Sequence, residues 1–128
     1  MSVLILASAS ATRARLLRAA GLDIDIDPPR LDEEGAKMSL RAEGLKPRDQ
    51  ADALAELKAL SISRRRPGLV LGADQMLALG EETFDKPRSR EEARAQLQAL
   101  RGRTHTLMTA AVIAPRYGAK APYAEVFR

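Results

Sequence analysis

Val3 to Ala7 is an apolar run rich in branched side chains, too short for a core helix and of the right length for a buried strand. A small polar segment, Ser8 to Thr12, comes next, and Leu16, Leu17 and Ala20 are then spaced to form one face of a helix. Ser10 or Thr12 is placed to cap that helix and Gly21 to end it. Strand, polar loop and helix in succession commit the start of the chain to an α/β arrangement.

The rest of the chain agrees with that class. Leu22 to Asp27 alternates apolar and acidic residues as a half-exposed strand does, and Pro28 and Pro29 stop it. Arg30 to Pro47 is polar and weakly patterned and reads as a loop with helical turns. Arg48 to Ser61 has helical spacing, with Asp49, Asp52 and Glu56 on one side. Lys58 falls between Ala51 and Leu54 in the apolar sector, where a lysine needs an anion within reach or a path to water. Arg64, Arg65, Arg66 and Pro67 read as a solvated turn before a strand that starts at Leu69, and Gly80 turns that strand into a hairpin returning Phe84 to Pro87. Ser89 and Glu92 form a capping box for a helix through Leu97 and Leu100 that Gly102 closes. Thr104 to Ala114 is a long strand ending at Pro115, and the residues after it show no clear period. The expected fold is α/β, a mixed central sheet flanked by helices, in a single domain over residues 1–128.

Length and composition narrow the function classes. A chain of 128 residues can bury one real core, and with aromatics at 3% Leu, Ala, Val and Ile must fill it. The net charge of +4 and pI near 9.8 come from scattered arginines and favour an anionic partner, with phosphate compounds and RNA both eligible. The lack of cysteine excludes disulfides and thiolate metal sites. The opening run lacks the basic flank and the length of a secretory signal, and no later segment approaches the roughly 20 apolar residues a membrane-spanning helix needs. The expectation is a cytoplasmic protein with no membrane partner.

Several residues suit phosphate chemistry. Ser8, Ser10, Thr12 and Arg13 put hydroxyls and a guanidinium beside backbone amides at a helix start, a natural oxyanion cradle, although taken alone an ordinary capped helix start is the better account of them and the P-loop spacing is absent. Asp74, inside the apolar run "LVLGADQMLAL", can hold a divalent cation, accept a proton from water, or simply occupy a turn. Asp32, Glu33 and Glu34 can share a metal with it or form a solvated acidic loop. Lys86 before Pro87 is an exposed cation, available to phosphate or simply a surface lysine. His105, the one histidine, reads as structural.

Taken together, "LILASASATRARLL", "LDEE", "LAELKA", "LVLGADQ", "FDKP" and "LRGRTHTLMTAAV" resemble the Maf family in order and approximate spacing, from about Val3 to Ala114. That resemblance implies a nucleoside triphosphate pyrophosphatase of the housekeeping kind, acting on non-standard nucleotides, with the α/β fold of the inosine triphosphatase group. It implies phosphate binding by Ser8, Ser10 and Arg13, neutralisation of the triphosphate by Lys58 and Lys86, help from Glu33 toward metal or water, and Asp74 as the catalytic proton acceptor. Mg²⁺ or Mn²⁺ is the implied cofactor, held by Glu33 and Asp74, and the implied partner is a nucleoside triphosphate, with a homodimer compatible.

Two positions depart from the commoner family pattern: Ala11 and Thr12 stand where Pro-Arg is usual, and Gln75 where Thr is usual. Similar changes mark the branch resembling 7-methyl-GTP pyrophosphatases, which makes Thr12 and Gln75 candidate specificity positions. The family also continues into a further lobe that completes the pocket, so the expectation is the N-terminal portion of a Maf-like domain. The alternative reading is a nucleotide-binding or interaction module without turnover; RNA binding is disfavoured by the scarcity of aromatics and the lack of a nucleic-acid motif.

Overall fold

The opening run forms β1 (Leu4–Ala7), followed by α1 (Ala11–Ala19), β2 (Ile24–Ile26), α2 (Glu33–Ala42), α3 (Pro47–Ser63), β3 (Leu69–Leu79), β4 (Glu82–Phe84), α4 (Arg90–Leu100), β5 (Thr106–Ala114) and β6 (Glu125–Phe127). The structure, a computed structural model, describes residues 4–114 and 125–127. One mixed sheet runs β2-β1-β3-β5-β6, with β4 paired to the far end of β3. β1 is parallel to β2 and β3, β5 is antiparallel to β3, and β6 is antiparallel to β5. This is the expected mixed α/β class.

Alternation along β1 divides its side chains between the two faces of the sheet. Ile5 and Ala7 meet α3 through Ala51, Leu54, Ala55, Ala59 and Ile62, with Val70, Val112 and Ala114 from β3 and β5 completing that core. Burying each large side chain there contributes about 1.5–3 kcal/mol. Leu6 packs the other way, with Ala14 of α1 and Ile24 of β2. The alanines of α3 let the helix lie close on β3, and Gly72 is the limiting contact: a Cβ there would meet the Ala55 carbonyl oxygen and come within 2.7 Å of the Ala59 nitrogen.

Several elements differ from the expectation. The segment read as a loop contains α2, which Asp32 caps by accepting from the Gly35 amide at 3.1 Å. Its contribution to the core is Ala36 and Leu40, two residues one turn apart, which left little periodicity to read. In α1 the buried residue is Ala14, while Leu16 is 66% exposed. α4 is capped by Ser89 as expected, but it buries no residue, and Leu97 is 68% exposed. β5 starts at Thr106, which leaves His105 outside it and exposed, and β6 lies in the stretch read as patternless. Val3 and Pro115, the expected limits of two strands, lie outside the described residues. No helix among the described residues is long and apolar enough to cross a membrane.

The arginine triplet divides. Arg64 and Arg65 are exposed, as a solvated turn requires. Arg66 instead reaches β2 and the residue after it, with Nη2 2.6 Å from Asp25 and Nη1 3.1 Å from Asp27. Hydrogen bonds to these two carboxylates raise the guanidinium pKa above its ordinary value. The acidic half of the alternating "LDIDID" pattern therefore anchors the turn that leads into β3.

Candidate active site

β1 pairs with β3 as far as Ala7 opposite Gly72, and β4 joins β3 only from Leu77. Ala73 to Met76 pass between them with a partner strand on the β5 side alone. A cleft of about 850 Å³ opens at this gap, beyond the carboxyl end of β1, where α/β sheets commonly receive ligands. The nine residues to which the family resemblance gives a role all line it: Ser8, Ser10, Thr12 and Arg13 from the β1–α1 turn, Glu33 from α2, Lys58 from α3, Asp74 and Gln75 from β3, and Lys86 beyond β4.

At the inner wall, Lys58 lies between two carboxylates. Its Nζ is 2.9 Å from Asp74 Oδ1 and 3.1 Å from Glu33 Oε1, with the Ala73 carbonyl oxygen at 3.5 Å. The Lys58 and Asp74 side chains are 8% and 7% exposed, whereas Glu33 reaches in from the solvent side at 42%. Asp74 Oδ2 is buried without a hydrogen-bond partner. Leaving a buried acceptor unmade costs about 1–3 kcal/mol, more when it is charged, so this oxygen is where a proton donor or a cation gains most. The apolar placement of Lys58 is thereby explained: Gly72 brings α3 close enough for the lysine to meet the acid on the strand.

The outer walls are cationic and amide-rich. Ser8 is buried and its Oγ accepts from the Ser10 amide at 3.0 Å and from Arg13 Nη1 at 3.3 Å, so it holds the turn rather than projecting freely. Ser10 is the N-cap, accepting from the Arg13 amide at 3.2 Å. Among the described residues the amides of Ala11 and Thr12 open the helix without carbonyl partners of their own, a set of donors suited to phosphate. Lys86 is exposed, and no partner is recorded for its side chain among the described residues. Gln75 is exposed on β3 and donates from Nε2 to Thr109 Oγ1 at 3.2 Å.

Residues the sequence reading passed over position these groups. Asp85, beside Lys86, pairs with Arg41 at 3.1 Å and Lys37 at 3.5 Å, and its carbonyl accepts from Gln96 at 2.7 Å. Arg88 approaches Glu34 at 3.8 Å. The loop bearing Lys86 is thus tied to α2 across the mouth of the cleft, though each exposed pair contributes only about 0–1 kcal/mol. Partners so distant in sequence leave no local signal. Of the acidic cluster, Glu33 alone reaches Lys58, since Asp32 caps α2 and Glu34 faces Arg88. Among the described residues no three His, Cys, Asp or Glu side chains gather as a metal cluster. His105 stands apart from the cleft.

The sequence profile of the Maf-like proteins matches residues 3–126. A nucleoside triphosphate pyrophosphatase of Hyphomonas neptunium is 54% identical over 108 residues, covering 84% of this chain and 54% of that protein. A 7-methyl-GTP pyrophosphatase of Mesorhizobium japonicum is 50% identical over 111 residues, covering 86% of this chain and 56% of that protein. The solved structure of a HAM1 protein from Coxiella burnetii aligns with a TM-score of 0.49 at 17% identity, over 98% of this chain and 70% of that one. The chain therefore spans little more than half the length of the curated relatives it matches. A profile match over nearly the whole chain, with relatives at 50% identity and above, establishes that the chain belongs to the Maf-like protein family.

Proposed function

We propose that this chain binds a nucleoside triphosphate in the cleft and hydrolyses it between the α- and β-phosphorus, releasing pyrophosphate and a nucleoside monophosphate. The observation that carries the reading is the unpartnered Oδ2 of Asp74 beside a cationic, amide-rich cleft. Lys58 holds Oδ1, so Oδ2 is the oxygen left to act. The oxygen of an attacking water bonds to the α-phosphorus as the bond to the bridging oxygen breaks. The water proton passes to Asp74 Oδ2, and pyrophosphate leaves with the bond's electron pair. Arg13, Lys86 and the first amides of α1 bind phosphate oxygens and hold the triphosphate for attack.

Glu33 and Asp74 are the residues that would hold Mg²⁺ or Mn²⁺. Glu33 offers a carboxylate from the solvent side, and Asp74 Oδ2 has a second lone pair beside the one turned to the water, which fits an ion that takes its remaining ligands from substrate phosphates and water. When bound, such an ion supplies charge neutralisation on the phosphates. For the base, Thr12 and Gln75 together with the name of the Mesorhizobium japonicum relative support 7-methyl-GTP as the preferred substrate.

The test is pyrophosphate release from a panel of nucleoside triphosphates with Mg²⁺ or Mn²⁺, beside calorimetric binding of the same panel. Stoichiometric pyrophosphate and monophosphate, cut about a hundredfold or more in Asp74→Asn, is the expected result. Release of orthophosphate overturns the bond assignment. Binding without release replaces hydrolysis by a nucleotide-binding module, and failure to bind any nucleotide overturns the reading altogether.

A further inference from the structure

Lys37 lies on α2 one turn beyond Glu33 and lines the same cleft as Lys58, Asp74 and Lys86. At helical rise the two α2 residues stand about 6 Å apart along the axis. Lysine side chains are mostly exposed in folded proteins, yet this one is only 18% exposed. The one contact recorded for its ammonium among the described residues is with Asp85 Oδ1 at 3.5 Å, long for a hydrogen bond. Asp85 has a better partner: Arg41 Nη2 reaches both of its oxygens, at 3.1 and 3.3 Å. The acids beside Lys37 on α2 are engaged elsewhere, Glu33 with Lys58 at 3.1 Å and Glu34 with Arg88 at 3.8 Å. An ammonium carries three donors, so Lys37 brings into the cleft a largely covered cation with most of its hydrogen-bonding capacity unused.

We propose that Lys37 is a further ligand of the triphosphate and binds the phosphates that depart as pyrophosphate, not the one that stays on the nucleoside. This rests on the nucleotide reading above, which puts the α-phosphorus at Asp74. Glu33 marks that end of the cleft through its contact with Lys58, and Lys37 is displaced from it along α2 to meet Asp85, the residue next to Lys86. Lys37 and Lys86 therefore flank the phosphate tail, one from α2 and the other from the loop after β4. A flexible four-carbon stem lets the ammonium exchange a 3.5 Å contact for a short, charge-assisted bond to a phosphate oxygen, while Arg41 keeps Asp85 paired. The selection made at Lys37 is for the length of the phosphate chain, whatever the base.

The experiment compares dissociation constants for GMP and for GTP with a methylene in place of the oxygen between its α- and β-phosphorus, a linkage the reaction cannot cleave. They are measured calorimetrically with the full chain, at one fixed Mg²⁺ concentration, in the wild type, Lys37→Met and Arg94→Met. Methionine keeps the unbranched stem and helix propensity of lysine without its charge. Arg94, exposed on α4 and outside the cleft lining, controls for the loss of one positive charge from the chain as a whole. The expected result in Lys37→Met is triphosphate binding weakened about tenfold or more, the equivalent of one hydrogen bond to a charged group, with GMP binding held within about twofold. Arg94→Met should match the wild type for both. Thermal melting monitors α2, which keeps its tie to the Lys86 loop through Arg41. Unchanged triphosphate binding in Lys37→Met overturns the proposal while leaving the nucleotide site standing. Equal weakening for the two nucleotides overturns it as well, since that assigns Lys37 to the shape of the cleft, and so does equal weakening in Arg94→Met, which assigns the effect to overall charge. Absence of any nucleotide binding by the wild type overturns the function reading and this inference with it.

Discussion

The ammonium of Lys58 sits 2.9 Å from Asp74 Oδ1, with neither side chain more than 8% exposed. From the helical wheel alone, replacing a lysine in an apolar sector by methionine relieves strain. The pair reverses that expectation. In Lys58→Met the Asp74 carboxylate stays buried and loses its cation, and breaking a buried pair from one side costs about 3–5 kcal/mol. The double replacement Lys58→Met with Asp74→Leu removes both charges and recovers most of the loss. Denaturant midpoints measure both; a single variant as stable as the wild type would mean that Asp74 draws its stability from another group.

Asp74→Asn separates charge from shape. The amide oxygen can still accept from Lys58, and Glu33 at 3.1 Å keeps the ammonium paired, so the stability cost is about 1–2 kcal/mol. Proton acceptance is lost. Turnover falls about 10²- to 10⁴-fold, the range that general-base groups supply, while nucleotide binding persists. A variant that releases pyrophosphate at the wild-type rate would sink the role given to Asp74.

Gly72→Ala tests how the lysine gets to the acid. The added methyl meets backbone atoms of Ala55 and Ala59, which cannot swing aside, so α3 must lift away from β3. The cost is about 1–3 kcal/mol, as for other overpacked cores, and displacement of Lys58 weakens triphosphate binding at the same time. Gly80→Ala is the control: its φ of 61° strains an alanine, yet open space surrounds it and Gly80 does not line the cleft. Both variants should melt earlier, and only Gly72→Ala should bind triphosphate less tightly. Equal binding by the two would show that the α3–β3 approach does not set the site.

What was legible in the sequence was local. The Val3 to Ala7 run, the Ser10 cap, the glycine-ended helices and the turn at Gly80 each announce themselves within a few residues. α2 did not, because Ala36 and Leu40 alone tie it to the core and Gly35 interrupts its first turn. Leu16 and Leu97 misled in the other direction: an apolar residue at helical spacing predicts a buried face, but nothing in the described residues covers either one. The family motifs named the residues of the cleft without their relations. That Ser8 is turned inward onto Arg13, that Asp85 and Arg41 tie the Lys86 loop to α2, and that Thr109 holds Gln75 depend on contacts between segments far apart in sequence.

Thr12 and Gln75 carry the remaining prediction. Thr12 is exposed in the first turn of α1, and Gln75 faces the same cleft from β3. An arginine at position 12 would place a guanidinium beside phosphate and base, where it opposes the positive charge of a 7-methylated purine and fills the space threonine leaves open. Threonine at position 75 would withdraw the carboxamide, and with it a donor and an acceptor that reach into the cleft toward a base edge. Thr12→Arg with Gln75→Thr should therefore move preference from 7-methyl-GTP toward UTP and dTTP. Polar groups left unpaired in this way discriminate by about 1–3 kcal/mol, or roughly 5- to 150-fold. The readout is the ratio of kcat/KM for the two substrate types, with dissociation constants giving the same ratio should the chain bind without turnover. A ratio that stays where the wild type has it would place base selectivity outside these two side chains.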